Sequence, residues 1–152
     1  MLKQKAIIFD LDGTICDDSH RLPLLTENEG NITDKIWDQY HGCCIEDNPI
    51  EVVASCAKGL AYGYWIIIIT GRDEKYREAT LNWLFVNNVP HQELYMRPNG
   101  NHCSSVDLKR KIYHDHIKNK YDVIGVFEDR KCVVDMWREE GLICLQTQEE
   151  NY

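Results

Sequence analysis

The chain has 152 residues, 43% hydrophobic and 28% charged, which is the composition and length of a globular protein with one proper core. Its formal net charge of −8 opposes tight nonspecific binding to nucleic acid, but it allows an enzyme that handles a nucleic-acid end with a few local cations. The longest purely apolar run is much shorter than a membrane span, and the first residues lack the pattern of a signal peptide, so we expect a cytoplasmic protein with no membrane partner.

An apolar run near the start of the chain ends abruptly at a carboxylate. Ala6 to Phe9 shows no alternation of polar and apolar residues, which indicates a strand covered on both faces, and Asp10 follows it directly. Ligands of open α/β sheets bind outside the carboxyl ends of the strands, and Gly13 supplies a turn that brings Asp12 back to the same crevice. An isolated Asp-x-Asp-Gly could equally be a plain strand end and turn. The longer string in this position predicts two carboxylates in one site.

Residues 15–47 are the least regular part of the chain. Within them, Thr33 and Asp34 are placed to cap a short helix around Lys35 to Tyr40. Long irregular loops in compact domains are uncommon unless they are functional, so we interpret 15–47 as a small flap inserted over the strand ends, with a plain connecting loop as the alternative. The whole chain, 1–152, is then a single domain that carries this flap.

The rest of the chain alternates between apolar strands and amphipathic helices. Predicted strands cover residues 64–69, 93–96, 123–127 and 143–145. Predicted helices begin at Asn48-Pro49, at Asp73, at Ser104 or Ser105, and near Lys131. This alternation predicts an α/β fold, a Rossmann-like three-layer sandwich with a central parallel sheet of about five strands and helices on both faces. The strand order 3-2-1-4-5, or its reverse, places the first strand at the centre and groups the charged strand ends.

Two further strand ends carry polar residues suited to phosphoryl transfer. The second predicted strand ends in Thr70-Gly71-Arg72 and the fourth in Glu128-Asp129, so both should lie beside Asp10. An ionised aspartate is a permissible nucleophile for phosphoryl transfer. Because the anionic aspartate then approaches an anionic phosphate group, a cation is needed to offset the repulsion. Mg²⁺ is suited to this role, since it prefers hard oxygen ligands such as carboxylates.

A charge count indicates which cations the site would need besides the metal. With Asp10 and the acidic pair ionised, Asp12 protonated as the acid, and a phosphomonoester carrying about two negative charges, Mg²⁺ still leaves about three negative charges. Lys109, Arg72 and Arg21 are the candidates to neutralise them.

The string Asp10-Leu11-Asp12-Gly13-Thr14 resembles the signature of the haloacid dehalogenase superfamily of phosphohydrolases. The resemblance implies that Asp10 is the nucleophile that becomes an aspartyl-phosphate and that Asp12 is the general acid and base. The response-regulator receiver domain shares similar ingredients, but its acids are adjacent and its lysine ends a strand. That non-enzymatic alternative therefore fits less well.

The same resemblance implies roles for later segments. Thr70 would hold the phosphoryl group, and Lys109 would stabilise the nucleophile and the intermediate, with Lys111 as an alternative. Mg²⁺ would be held by Asp10, by the backbone carbonyl of Asp12 and by the acidic pair Glu128-Asp129. The superfamily more often has Asp-Asp at that pair, so which of the two acids touches the ion stays open.

Within the superfamily, the chain is most similar to the 3′-phosphatase domain of bacteriophage-type polynucleotide kinase/phosphatase. The stretches that carry this similarity are Ile7 to Thr14, Thr70-Gly71-Arg72, Lys109 to Ile117 and Phe127 to Leu142. The similarity implies removal of a 3′-phosphate from polynucleotide ends, with Arg21, Gly71, Arg72 and Arg130 at the substrate.

Two features of the chain depart from that family. No G-x-x-x-x-G-K-[ST] motif is present, so no such kinase activity is expected of this chain. The flap is longer and differently composed, which leaves a phosphatase of nucleotides or other small phosphomonoesters as the alternative. Trp37, Tyr40 and Tyr95 could stack on a base, although packing in the core or on the surface is the more common use of such residues.

Overall fold

The computed structural model describes residues 2–149 and contains a five-stranded parallel sheet. In chain order the elements are β1 (Gln4–Phe9), β2 (Cys16–Asp17), α1 (Pro23–Thr26), α2 (Asp34–Gly42), β3 (Asn48–Pro49), α3 (Glu51–Leu60), β4 (Trp65–Asp73), α4 (Arg77–Val86), β5 (Glu93–Arg97), α5 (Ser105–Ile112), β6 (Tyr121–Glu128), α6 (Lys131–Glu139) and β7 (Cys144–Gln146). The sheet order is β5-β4-β1-β6-β7, which confirms the predicted order with the first strand at the centre. No helix among residues 2–149 has the length and apolar character that crossing a bilayer would require.

Strand β1 is buried on both faces because its side chains alternate between two cores. Ala6 and Ile8 lie in the core that contains the buried side chains of α5 and α6. Ile7 and Phe9 lie in the core that contains those of α3 and α4, and Phe9 stacks on Phe127 of β6 with ring centroids 4.5 Å apart. Full burial of a large apolar side chain contributes about 1.5–3 kcal/mol, so both faces of the strand hold the sheet against its helices.

A short antiparallel ladder closes the base of the flap segment, residues 15–47. Cys16 pairs with Pro49 and Asp17 with Asn48, so the chain leaves and returns at the same point. The prediction that Asn48-Pro49 starts a helix is therefore wrong, because α3 begins at Glu51 after an extended Ile50. The dipeptide Asn48-Pro49 is compatible with a helix start or with an edge strand, and here it forms a strand because it pairs with Cys16 and Asp17.

The interior of the flap segment is mainly helical. The helix predicted around residues 35–40 is α2, which begins at Asp34 after an extended Thr33. The prediction did not include α1 or the 3₁₀ turn Cys44–Glu46. Beyond the flap, α5 continues into a π-helical turn, Tyr113–Ile117, which places Tyr113 and Ile117 in the core beside α6.

Candidate active site

Three segments that are distant in sequence meet at the end of β1. Parallel pairing aligns Phe9 with Phe127, and the backbone N–H of Asp10 donates to the Phe127 carbonyl at 3.0 Å, so Asp10 and Glu128 end neighbouring strands. Lys109 reaches both of them from α5, with its Nζ 2.5 Å from Asp10 Oδ1 and 2.6 Å from Glu128 Oε2. All three side chains are buried, and the lysine thus holds two carboxylates in fixed positions.

The carboxylates at this point form a set that suits a hard cation. Asp10, Glu128 and Asp129 each place a carboxylate oxygen within 4.8 Å of the other two. Burial, reinforced by the repulsion between the acids, raises the pKa of Asp10 to about 7 and that of Asp129 to about 9. A divalent ion among these oxygens would relieve the repulsion, and oxygen-only donors are those that Mg²⁺ prefers. The donor set therefore fits Mg²⁺.

The two acids of the pair differ in what already binds their oxygens. Glu128 accepts from Lys109 through Oε2, and through Oε1 from the backbone N–H groups of Asp129 and Arg130 at 3.2 and 3.3 Å. Asp129 accepts a bond of 3.3 Å from the Thr14 hydroxyl, which also lies 3.4 Å from Asp10. Asp129 thus keeps more unused acceptor capacity than Glu128.

Gly13 makes the close approach of Asp129 to the first loop possible. Its φ of +77° lies in the left-handed region, which side chains with a Cβ rarely adopt. A Cβ at this position would lie 2.4 Å from Asp129 Oδ2, which is shorter than any normal contact. The glycine therefore both turns the chain after Asp12 and leaves room for the carboxylate of Asp129.

Asp12 lies in a second cluster, with two arginines and an additional acid. Arg72 contacts Asp12 through Nε at 3.0 Å and Nη2 at 2.6 Å, and Arg21 contacts it through Nη2. Asp47, whose side chain is fully buried, accepts from Arg21 at 2.6 and 2.8 Å and from Arg72 at 3.2 Å. The cluster pairs two cations with two carboxylates, so its charges balance.

This pairing bears on two of the predictions made from sequence. Burial alone would raise the pKa of Asp12, but the guanidinium groups of Arg72 and Arg21 outweigh it and hold that pKa well below its usual range. Asp12 is therefore a carboxylate here, not the protonated acid that the charge count assumed. The two guanidinium groups are buried against acids and do not line the cavity described below; without a substrate they neutralise Asp12 and Asp47, and their role at the phosphate stays a prediction.

A cavity of about 1030 Å³ opens over Asp10 and Asp12. Its strand-end wall includes the predicted residues Gly71, Lys109 and Arg130. Thr70 lies within β4, the strand next to β1, because this strand runs on to Asp73, past its predicted end at residue 69. Its buried hydroxyl accepts the backbone N–H of Arg72 at 3.2 Å and is not part of the wall. Arg130 lies at this wall and donates to Ser105 at 3.3 Å.

Arg97 is a cation of the same wall that the sequence analysis did not select. Its guanidinium donates to the backbone carbonyls of Gly71 at 3.1 Å and Cys103 at 2.7 Å. Among residues 2–149 its hydrogen-bond partners are Gly71, Asn101 and Cys103, none of which offers a carboxylate. The only sequence signal was its position after a predicted strand, which is shared by many surface arginines.

An aromatic cluster forms the flap side of the cavity. Trp37 of α2 stacks on His41 with centroids 5.6 Å apart and contacts Tyr40 edge-on. Tyr40 and His41 are buried, and burial lowers the pKa of His41 to about 4, so its ring is neutral near pH 7. Tyr95 instead stacks on His116 away from the cavity. Packing thus accounts for Tyr40 and Tyr95, whereas Trp37 is 38% exposed and lines the cavity.

Comparison with known proteins identifies a family for this arrangement. The family model described as the phosphatase domain of the polynucleotide kinase PNKP matches residues 4–152. A protein of the Autographa californica nuclear polyhedrosis virus, named as a bifunctional polynucleotide kinase/RNA ligase, is 31% identical over 138 residues. That match covers 89% of this chain and 18% of the viral protein, so the chain corresponds to a small part of that relative.

Solved structures show the same fold. A chain in a structure of a Pnkp1/Rnl/Hen1 complex superposes with a TM-score of 0.82 at 28% identity, over 99% of this chain and 48% of that one. The class C acid phosphatase of Bacillus anthracis, solved with tungstate bound, gives a TM-score of 0.69 at 16% identity, over 100% of this chain and 69% of that one. At that lower identity the second likeness concerns the fold alone.

Proposed function

The chain belongs to the family of the PNKP phosphatase domain, within the haloacid dehalogenase superfamily, and on this premise we propose that it is a Mg²⁺-dependent phosphomonoesterase that removes 3′-phosphate groups from polynucleotide ends. The observation that carries the proposal is the convergence of Asp10, Lys109, Glu128 and Asp129 at one buried point under a cavity. The polynucleotide substrate is supported by the names of the similar proteins, one of which is part of an RNA repair complex.

In the first chemical step, an Asp10 oxygen attacks the phosphorus atom. The new bond forms an aspartyl-phosphate, and the bond from phosphorus to the sugar oxygen breaks. Lys109 holds Asp10 through one oxygen, which orients the carboxylate for attack. When bound, Mg²⁺ would supply positive charge to the phosphoryl oxygens, and its ligands would be Asp10, the Asp12 carbonyl and the acidic pair, with Asp129 better placed than Glu128 for direct contact.

Asp12 would move the protons of both steps. Its proton goes to the leaving sugar oxygen, and the resulting carboxylate then takes a proton from the water that hydrolyses the aspartyl-phosphate. Because the two arginines stabilise the ionised form of Asp12, this residue must gain a proton before it can donate one to the leaving sugar oxygen. A phosphate dianion close to Asp12 raises its pKa by repulsion and competes for the same guanidinium groups, so substrate binding itself shifts Asp12 toward the acid form.

The test is a panel of phosphomonoesters with Mg²⁺, scored by phosphate release. We expect 3′-phosphorylated oligonucleotides to be hydrolysed in preference to nucleoside monophosphates, and Asp10→Asn to abolish turnover on every substrate. The reverse preference would replace the polynucleotide with a nucleotide or another small phosphomonoester. Substantial turnover by a folded Asp10→Asn protein would refute the mechanism itself.

A further inference from the structure

The two walls of the cavity differ in chemistry in the way that the two parts of a nucleotide do. Cations on the strand-end side include Lys109, Arg97 and Arg130. Among the described residues, the large apolar side chains and the tyrosine and tryptophan rings that line the cavity all come from the flap segment: Leu25, Ile32, Trp37 and Tyr40. A ligand that is anionic at one end and flat and uncharged at the other is complementary to such a cavity.

Trp37 is the most accessible of these flap side chains, and its ring is held in place. Stacking on His41 is nearly parallel, with 17° between the ring planes, and the edge contact with Tyr40 is nearly perpendicular at 83°. His41 is itself held by Tyr76 of the 3₁₀ turn after β4, with centroids 5.6 Å apart. The indole is thus supported from behind by buried rings while a large part of it stays accessible in the cavity.

The charges beside Trp37 disfavour a phosphate at that position. Asp34 and Asp38 of the same helix line the cavity, and Asp38 is bound to Lys75. An anionic group placed there would meet carboxylates, whereas an uncharged aromatic ring would not. Bases stack on aromatic side chains with little dependence on sequence, because every base has a π-face.

We propose that Trp37 is the stacking platform for the base of the nucleotide that carries the 3′-phosphate. This inference rests on the proposed function, since it requires the phosphate of that nucleotide to lie at Asp10. It assigns the flap a part in recognising the leaving group: the strand ends perform the chemistry, and α2 holds the nucleoside. Because stacking tolerates any base, the platform would select for the presence of a base and not for its identity.

The decisive measurement compares two substrates in each of three proteins. The substrates are a 3′-phosphorylated oligonucleotide and the same oligomer whose last residue is a tetrahydrofuran abasic analogue with the 3′-phosphate. The proteins are the wild type, Trp37→Ala, and the control Trp65→Ala, which changes a tryptophan of equal exposure (39% against 38%) at the opposite end of β4. Thermal melts verify that all three are folded.

We expect the wild type and Trp65→Ala to prefer the substrate with a base, and Trp37→Ala to lose roughly 5- to 150-fold of that preference, which corresponds to about 1–3 kcal/mol of stacking. If the wild type and Trp37→Ala prefer the substrate with a base to the same degree, the stacking role of Trp37 is refuted and the proposed function remains intact. An equal loss on both substrates would also refute the stacking role, because the residue would then act only on the flap structure. Failure of the wild type on both oligomers would instead refute the proposed function.

A binding experiment tests the platform without turnover. In the Asp10→Asn protein, binding of the 3′-phosphorylated oligomer should quench tryptophan fluorescence, because a stacked base quenches an indole. The quenching should be lost when Trp37→Phe is added and should persist with Trp65→Phe. Trp83 and Trp137 are buried and contribute a constant background. Quenching that survives Trp37→Phe would contradict the assignment.

Discussion

Replacing the proposed nucleophile should stabilise the protein while it abolishes activity. Asp10 shares its buried position with Glu128 and Asp129, and among residues 2–149 a single ammonium group, that of Lys109, is in contact with it. The pKa of Asp10 is about 7 against an ordinary value of 3.8. At about 1.4 kcal/mol per pH unit, the ionised carboxylate makes the folded state up to roughly 4 kcal/mol less stable than a neutral group would.

The sign of the pH dependence follows from the raised pKa. Between about pH 4 and pH 7 the folded state retains a proton on Asp10 that the unfolded state has lost, so the free energy of unfolding falls as pH rises through this window. Asn at this position carries no charge. The difference in stability between Asp10→Asn and the wild type should therefore be small near pH 4, grow up to about pH 7 and stay constant above it.

The assay is urea unfolding followed by circular dichroism, at several pH values in the presence of a chelator. At pH 7.5 we expect Asp10→Asn to be more stable than the wild type by at least about 1 kcal/mol, or about 2–4 °C in melting temperature for each kcal/mol. Asp12→Asn is the matched control from the same motif: it removes one partner from a buried ion-pair cluster and should cost about 3–5 kcal/mol. An Asp10→Asn protein that is less stable than the wild type at pH 7.5 would refute the electrostatic reasoning.

Three further perturbations test other parts of the site. Gly13→Ala should raise the Mg²⁺ concentration needed for half-maximal activity by about 10- to 100-fold, because a Cβ would displace Asp129, and unchanged metal dependence would contradict this. Lys109→Met should lower the free energy of unfolding by about 3–5 kcal/mol, since Asp10 and Glu128 lose their shared cation. Added Mg²⁺ should restore part of that stability in melting experiments but not the turnover. In the wild type, Mg²⁺ should raise the melting temperature and chelator should reverse the rise, an effect that Asp10→Asn should reduce.

Much of the fold was predictable because it depends on local patterns. The run Ala6 to Phe9 is apolar at every position, as a strand with a core on each face requires. The order of the five strands followed from placing that strand at the centre, where the polar residues at the carboxyl ends of β4 and β6 can reach it. Asn48-Pro49 was assigned wrongly because the local signal is the same for a helix start and for the edge strand that pairs with β2.

The electrostatic state of the site was not predictable from the residues alone. Asp10 and Asp12 are two residues apart in one motif, yet burial among acids raises the pKa of one and two arginines lower that of the other. Asp47 carries no recognisable motif, and its importance appears only when the flap returns and places it between Arg21 and Arg72. A carboxylate in a sequence does not reveal which cations will surround it.

The sequence by itself determined the type of sheet, the position of Asp10 at a strand end and the residue types available for phosphoryl transfer, because periodicity and turn chemistry act over short stretches of chain. Only the tertiary structure decided which charges pair. Lys109 binds Asp10 and Glu128, the two arginines bind Asp12 and Asp47, and Trp37 remains accessible over the cavity. The physical reason is that pairing energies and pKa values depend on distances between groups that lie far apart in the chain, and only the folded packing sets those distances.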